Sequence, residues 1–237
     1  MTMSIIIKLC LIYVCCLPLS SQAQIDIVIA GESYHMNNVV DNAISPSLNQ
    51  FVKDGVIPSI KLSKYDVEIR CNFYGAFGWF PGEGHCIVIR GNRKTLQAID
   101  YSVRKYYKHA INGKLEDSGR VLHQYDYPQN PWGIGVHVIP LKPPISLTML
   151  LQRLMACHIN DIPDEDEIVN RLSKQGVFLK EVQCNDCLSS FWYEVKIGDH
   201  YRSFSISNRY QTTNLNIPEI NYERGIVDVF NTLVPKL

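Results

Sequence analysis

Two stretches near the end of the chain read Phe191-Trp-Tyr-Glu-Val-Lys-Ile197 and Tyr201-Arg-Ser-Phe-Ser-Ile-Ser207. In each stretch apolar or aromatic side chains alternate with polar ones, which is the period of a strand with one buried face. The alternation predicts two β-strands of an antiparallel sheet.

Patterns of the same kind extend toward the N-terminus and are interleaved with helical patterns. The other predicted strands are Ile25–Gly31, Ile60–Leu62, Tyr65–Cys71, Cys86–Arg90, Gly135–Leu141 and Val177–Val182. The predicted helices are Lys94–Ala110, the strongly amphipathic Ser146–Ile159 and Pro218–Leu233. Strands and helices in this arrangement predict the α+β class, with antiparallel sheets and helices packed on one face of them.

Two further helical stretches resemble each other. Leu48–Val56 aligns with Val169–Val177, and Asn, Lys, Gly and Val match in place. Each has Pro near its start and Gly just past its end, as helices commonly do. One interpretation is an internal duplication, which gives two similar α+β lobes at 24–112 and 134–237 joined by a linker or hairpin at 113–133. The other is chance, because a helix that ends in Gly is common.

The first 23 residues have the pattern of a secretory signal peptide. Lys8 precedes an apolar run, and Ser21-Gln-Ala23 fits the small-x-small rule for cleavage. A buried helix or a membrane anchor is the alternative, but the run is roughly half the ~20 residues that a bilayer span needs. We therefore expect an exported protein without a membrane span after cleavage. The short signal and the sparse cysteines favour the bacterial periplasm over an extracellular location.

Composition and charge indicate a globular protein. The chain is 46% hydrophobic and 19% charged, and its 23 Lys and Arg balance its 23 Asp and Glu. Removal of Lys8 with the signal leaves a net charge near minus one. Nucleic acid attracts proteins through a basic excess, which this chain lacks, and no run of Lys and Arg indicates a basic patch. Nucleic-acid binding is therefore disfavoured.

Five cysteines remain after residue 23, and in an exported protein we expect them to form disulfides. Strand patterns lead into Cys71 and Cys86, which predicts that the two face each other across a hairpin and are bridged. Cys184 and Cys187 have the spacing of a zinc knuckle or a redox dithiol. Disulfide formation is the preferred interpretation for them, either with each other or with Cys157. No metal site and no cofactor are predicted.

The segment between Cys71 and Cys86 is rich in glycine and in aromatic residues. Its aromatic residues are Phe73, Tyr74, Phe77, Trp79 and Phe80. Rigid aromatic side chains on a constrained loop are typical of binding surfaces, because they supply contact area at a small entropic cost. The alternative is that these side chains fold back into the core. We predict that the five residues form a binding surface.

Motifs that would identify a reaction are missing from the sequence. There is no G-x-S-x-G elbow and no H-x-x-x-H pair. His85 and Cys86 are neighbours on a predicted strand and point to opposite faces, so they are excluded as a catalytic dyad. A hydrolase that uses Cys157, Glu32 or Glu83 with a histidine is the enzymatic alternative.

These observations favour an exported, non-enzymatic binding protein whose partner is another protein. The specific expectation is a periplasmic inhibitor or immunity-type protein that blocks an enzyme or toxin. A secreted hydrolase and a small-ligand or envelope structural module are the alternatives. The sequence leaves the partner and the oligomeric state open.

Overall fold

The computed structural model describes residues 25–29, 31–36, 51–53, 55–74, 84–107, 120–125, 132–180, 190–207, 210, 214 and 216–233. The predicted signal peptide, residues 1–23, lies outside these ranges. So do the predicted binding residues Phe77, Trp79 and Phe80, and the predicted disulfide pair Cys184 and Cys187.

Nine strands and three longer helices make up the described structure. The strands are β1 Ile25–Ile29, β2 Glu32–Met36, β3 Val67–Tyr74, β4 Gly84–Asn92, β5 Thr95–Tyr107, β6 Arg120–Tyr125, β7 Trp132–Pro140, β8 Ser190–Ile197 and β9 His200–Ser207. The helices are α1 Leu147–Ala156, α2 Glu165–Lys174 and α3 Pro218–Asn231. A short 3-10 helix spans Ile60–Leu62, and residues 51–53 are helical.

The strands form two antiparallel sheets. β1 and β2 make a two-stranded sheet, and the others follow the order β6-β7-β5-β4-β3-β8-β9. The α+β class is therefore confirmed. Strand β3, from the first predicted lobe, is hydrogen-bonded to β8 from the second, so the strands of both halves are continuous in one sheet. An internal duplication is not shown.

The helices cover one face of the large sheet, as predicted. On that face, Ile69 of β3 and Val195 of β8 pack in one buried cluster with Leu154 of α1 and Phe230 of α3. The β1–β2 sheet contributes Met36 to the same cluster. A smaller cluster lies on the opposite face, where its members are Phe51, Ile57, Cys86, Val88, Ile99, Tyr101 and Val136.

The glycines of the two similar stretches both terminate helices. Gly55 has φ of 63° and Gly176 has φ of 76°, in the left-handed region that glycine adopts without a steric cost. The N–H of the next residue, Val56 or Val177, donates to the carbonyl five residues earlier. This is the Schellman arrangement. A shared helix-end motif thus accounts locally for the matching Gly-Val pairs.

The predicted helix Lys94–Ala110 is wrong, because Thr95–Tyr107 is strand β5. Its residues pair with β4 on one side and β7 on the other. Side chains alternate between the two faces, with Ala98 in the larger cluster and Ile99 in the smaller one. Tertiary pairing across a two-residue turn at Arg93-Lys94 overrides the helical interpretation.

The predicted bridge between Cys71 and Cys86 is also wrong. In the β3–β4 register Cys71 lies opposite Ile87, and Cys86 lies opposite Asn72. This offset of one residue sends the two side chains to opposite faces of the sheet. Both are buried free thiols.

Two other predicted strands are wrong. Ile60–Leu62 is a short 3-10 helix. Val177–Lys180, the described part of the predicted strand Val177–Val182, is not a strand. Within the segment predicted as a linker or hairpin, 113–133, Arg120–Tyr125 forms β6, which pairs antiparallel with β7.

Glu223 on α3 gives the fold a pH-dependent stability. Its side chain is buried, and neither carboxyl oxygen has a hydrogen-bond partner among the described residues. Burial raises the pKa of Glu223 to about 8, and the nearby carboxylates of Glu165, Asp164 and Glu219 act in the same direction.

We expect the free energy of unfolding to fall as the pH rises from about 4.5 to about 8. In this range the unfolded state loses the Glu223 proton and the folded state retains it. Glu223→Gln removes this loss, so its stability relative to wild type should increase by roughly 2–4 kcal/mol between pH 4.5 and pH 8.5. Urea unfolding at the two pH values measures the difference. Glu167→Gln, at an exposed site on α2, is the control, and an equal pH dependence in wild type and Glu223→Gln would contradict the assignment.

Candidate functional site

The candidate site lies where the two central strands of the large sheet end. β3 and β4 are paired as far as Tyr74 and Gly84, and the aromatic segment connects them there. Of the predicted binding residues, Phe73 and Tyr74 are the last two residues of β3. Gly84 of β4 is also paired with β5, whereas the pairing of β3 with β8 ends at Asn72, two residues before Tyr74. The connection therefore begins and ends on strands in the interior of the sheet.

A histidine and a buried aspartate form a close pair beside this connection. His85 is the second residue of β4, and its Nδ1 lies 2.8 Å from Oδ2 of Asp100 on β5. Asp100 is fully buried, while about a fifth of the His85 side chain is exposed. A carboxylate only accepts hydrogen bonds, so the pair requires the proton of a neutral ring on Nδ1. In that tautomer Nε2 is the ring nitrogen that accepts a proton.

Two further polar residues lie in the same cross-strand row. Ser102 is directly opposite His85, and His137 of β7 is directly opposite Ser102. Directly opposed residues have Cβ atoms about 4.5–5.5 Å apart and point to the same face. The row therefore gathers a hydroxyl and two imidazoles next to the Asp100 carboxylate, an arrangement suited to proton transfer or to polar recognition of a ligand.

Sequence reasoning did not find this cluster. It considered His85 only as a partner of Cys86, and it placed Asp100 and Ser102 on a helix. The spacing of Ala98, Asp100 and Ser102 at every second residue could have indicated a strand that carries all three on one face.

The opposite face of the sheet holds a buried ionic network around Arg70. The Arg70 side chain is fully buried, its Nε donates to Oε1 of Glu68 at 2.6 Å, and its Nη1 donates to Oε2 of Glu194 at 3.1 Å. The Ser63 hydroxyl also donates to Glu68. Burial raises the pKa of Glu194, and the charge of Arg70 opposes the shift. Because one buried guanidinium binds carboxylates on two neighbouring strands, we interpret this network as structural.

The cysteine thiols have the wrong electrostatics for a nucleophile. Burial raises the pKa of Cys71, Cys86 and Cys157 above the ordinary value for a thiol. Cys157, the cysteine of the hydrolase hypothesis, also lies at the C-terminal end of α1, close to the Asp228 carboxylate. Both surroundings disfavour a thiolate.

The other residues considered for catalysis or metal binding are placed as follows. Glu32 is an exposed residue at the start of β2, and Glu83 lies outside the described residues. Within the described ranges, no group of three or more His, Cys, Asp or Glu is arranged to hold a metal ion. In the same ranges, no helix has the length and apolar character required to cross a membrane.

Comparison with known proteins gives no match, whether to a family model, to a curated protein or to a solved structure. The fold is therefore described by its class alone, an antiparallel α+β protein.

The surroundings of Cys157 predict a specific packing interaction with α3. A Cβ atom added at Gly225 of α3 would lie 2.4 Å from Cys157 Sγ and 3.6 Å from Cys157 Cβ. The first distance is a clash and the second is ordinary contact. Glycine is therefore needed at 225 as long as the sulfur is present.

We expect Gly225→Ala and Cys157→Ala to be coupled by about 1–2 kcal/mol in a double-mutant cycle. In the Cys157→Ala background, alanine at 225 should stabilise the helix by up to about 1 kcal/mol. In the wild-type background the clash should cancel or reverse that gain. Chemical denaturation of the four variants measures the coupling, and additive effects would contradict the proposed contact.

Proposed function

We propose that this chain is an exported protein-binding module of the inhibitor or immunity type, located in the bacterial periplasm. Its contact surface is the aromatic connection between β3 and β4. The observation that carries the proposal is the anchoring of this connection on the two central strands of the seven-stranded sheet.

The physical argument for a contact surface is preorganisation. A connection that begins and ends on paired central strands has its two ends fixed, so less conformational entropy is lost when a partner binds. Large aromatic side chains then supply most of the contact energy. The thiols whose environments are described are poor nucleophiles, which favours binding over cysteine chemistry.

Trp79→Ala is expected to weaken partner binding by about 2–4 kcal/mol, because a tryptophan at the centre of an interface buries the largest area. The partner is first isolated from the exported fraction by affinity purification. The dissociation constants of wild type and variant are then measured by calorimetry.

Phe178→Ala is the matched control, since Phe178 is a strongly exposed aromatic residue that follows α2, outside the proposed surface. Its affinity should equal that of wild type. Unchanged affinity in Trp79→Ala, or a larger loss in Phe178→Ala, would remove the β3–β4 connection from the interface. Failure to find a tight partner would count against the binding function itself.

A secreted hydrolase is the second candidate, and the His85–Asp100 pair favours it. A base held by a buried carboxylate is a recurring element of hydrolytic sites. In the simplest scheme His85 Nε2 takes a proton from a water molecule as that water attacks an ester carbonyl. The proton is then returned to the leaving alcohol, and Asp100 stabilises the imidazolium.

If this scheme holds, the purified protein should hydrolyse p-nitrophenyl acetate, and His85→Ala should lower kcat/KM by about 10²–10⁴-fold. Asp100→Asn should lower it as well, because the amide can stabilise the wrong tautomer. His200→Ala, at the opposite end of the sheet, serves as the control. Turnover no faster than with free imidazole, or equal rates in wild type and His85→Ala, would exclude the hydrolase.

A further inference from the structure

Basic side chains from separate parts of the chain converge at the other end of the central strands. This region, the basic end, consists of Lys61, Lys64, Arg90, Arg93, Lys94 and Lys196. Arg93 and Lys94 form the turn between β4 and β5. Lys196 lies opposite Glu68 on β3, next to Val67, where that strand begins. No run of the sequence contains more than two of these residues in succession.

Tyr65 contacts three of these six cations. The Arg90 guanidinium lies 4.7 Å from the centre of its ring, and the Lys64 ammonium lies 5.9 Å from it. The Tyr65 hydroxyl accepts a hydrogen bond from Gln97 Nε2 at 2.9 Å, and its carbonyl accepts one from Lys196 Nζ at 2.8 Å. These contacts hold the ring in place, so the cations around it are positioned before any partner arrives.

The surface continues on both sides of Tyr65. Lys61 Nζ lies 4.7 Å from the ring centre of Tyr201, which pairs with Lys196 across the β8–β9 ladder. On the other side, the Asp66 N–H donates to Asn92 Oδ1 at 3.0 Å, which ties the Arg93-Lys94 turn to the segment that carries Lys64. The basic end is therefore one connected surface.

Carboxylates do not neutralise this surface within the described part of the chain. The ion pairs found there involve Arg70, Arg171, His85 and His158 as cations, and none involves a residue of the basic end. Glu68, the nearest buried acid, is bound by Arg70 and lies directly opposite Arg90 and Lys196, so it offsets part of the charge of those two residues. Asp66 and Asp199 are the two other acids near this end, against six cations. Lys61, Lys64, Arg93 and Lys94 are exposed.

Three acidic residues lie at the opposite end of β9. β9 begins at His200, next to the basic end, and finishes at Ser207, whose N–H donates to Glu165 at 2.8 Å. Glu165, Asp166 and Glu167 form the first turn of α2. Seven residue steps along a strand cover about 23 Å. The basic end and the acidic first turn of α2 therefore lie at opposite ends of β9.

We propose that the basic end is a docking surface for an acidic segment of a partner protein. Lys196 is buried and bonded to the Tyr65 carbonyl, so the cations offered to a ligand are the exposed Lys61, Lys64, Arg93 and Lys94. Exposed cations without a carboxylate partner favour an acidic ligand and steer its approach. Leu62, which is largely exposed between Lys61 and the Lys64 side of the surface, offers an apolar contact of the kind that protein partners use. The site is separate from the aromatic connection and does not rest on the function proposed above.

A protein partner is favoured over a nucleic acid or a membrane by the rest of the charge distribution. A nucleic-acid duplex extends beyond a patch of this size, and the acidic turn of α2 repels it where it would continue along β9. A membrane surface requires several apolar side chains at the contact, and Leu62 is a single one. A short acidic peptide with one apolar residue matches the surface in charge and size.

The test uses the protein purified after expression of the full chain. A fluorescein-labelled peptide of 12 residues, made of Asp and Glu around a central Leu, is titrated at low ionic strength and its anisotropy is measured. The double variant Arg93→Glu with Lys94→Glu should raise the dissociation constant at least tenfold. Affinity should also fall as the salt concentration is raised from 20 to 200 mM, because the contact is ionic.

The matched control is Arg153→Glu with Lys174→Glu, which makes the same change of charge at exposed positions on α1 and α2. Its dissociation constant should stay within twofold of wild type, and circular dichroism confirms that both double variants are folded. Equal losses in the two variants would show a general charge effect and overturn the proposal. So would a failure of the peptide to bind wild type, or tighter binding of a 20-base-pair DNA duplex or of vesicles with 30% phosphatidylserine.

Discussion

Strand β3 is the element on which the rest of the fold depends. It is hydrogen-bonded to β4, which follows it in the chain, and to β8, which follows it by more than a hundred residues. Arg70 reinforces this junction, because its buried guanidinium binds Glu68 on β3 and Glu194 on β8. Removing one member of such a network leaves an unpaired buried charge, which is strongly destabilising. The ionic network therefore fixes which strand of the second half pairs with the centre.

Side chains of β3 alternate between two different buried environments. Ile69 and Cys71 point into the core beneath the helices, while Arg70 and Asn72 point to the opposite face. Because each successive residue changes face, one strand supports an apolar core and a charged network at the same time. Its two ends then carry different surfaces. The aromatic connection and the His85–Asp100 pair lie near Tyr74, and the basic end lies near Val67.

Most of the individual strands and the later helices could be predicted from the sequence, because their periodicity is local. The strands Phe191–Ile197 and Tyr201–Ser207 are found as β8 and β9, and Ser146–Ile159 contains α1. β5 was missed because its residues alternate between two buried faces, so polar Asp100 and Ser102 stand where an amphipathic strand would show apolar side chains. The strand order could not be predicted either, because the pairing of β3 with β8 leaves no local signal in the sequence.

The candidate sites were harder to predict from the sequence than the strands, because they depend on strand register. A one-residue offset in the β3–β4 register decides that Cys71 and Cys86 lie on opposite faces, and no composition or spacing rule reports that offset. The same register places His85 beside Asp100, although fourteen residues lie between them in the chain.

The net charge of the whole sequence is a poor guide to the charge of an individual surface. A net charge of zero and the absence of any run of Lys and Arg gave no indication of a basic patch. The antiparallel sheet nevertheless brings Lys64, Arg93 and Lys196 to one end, because every second turn of such a sheet returns to the same edge. The net charge of a chain does not say where its charged side chains lie in the structure. In a sheet protein the relevant quantity is the charge at each end of the strands, and only the strand order and register supply it.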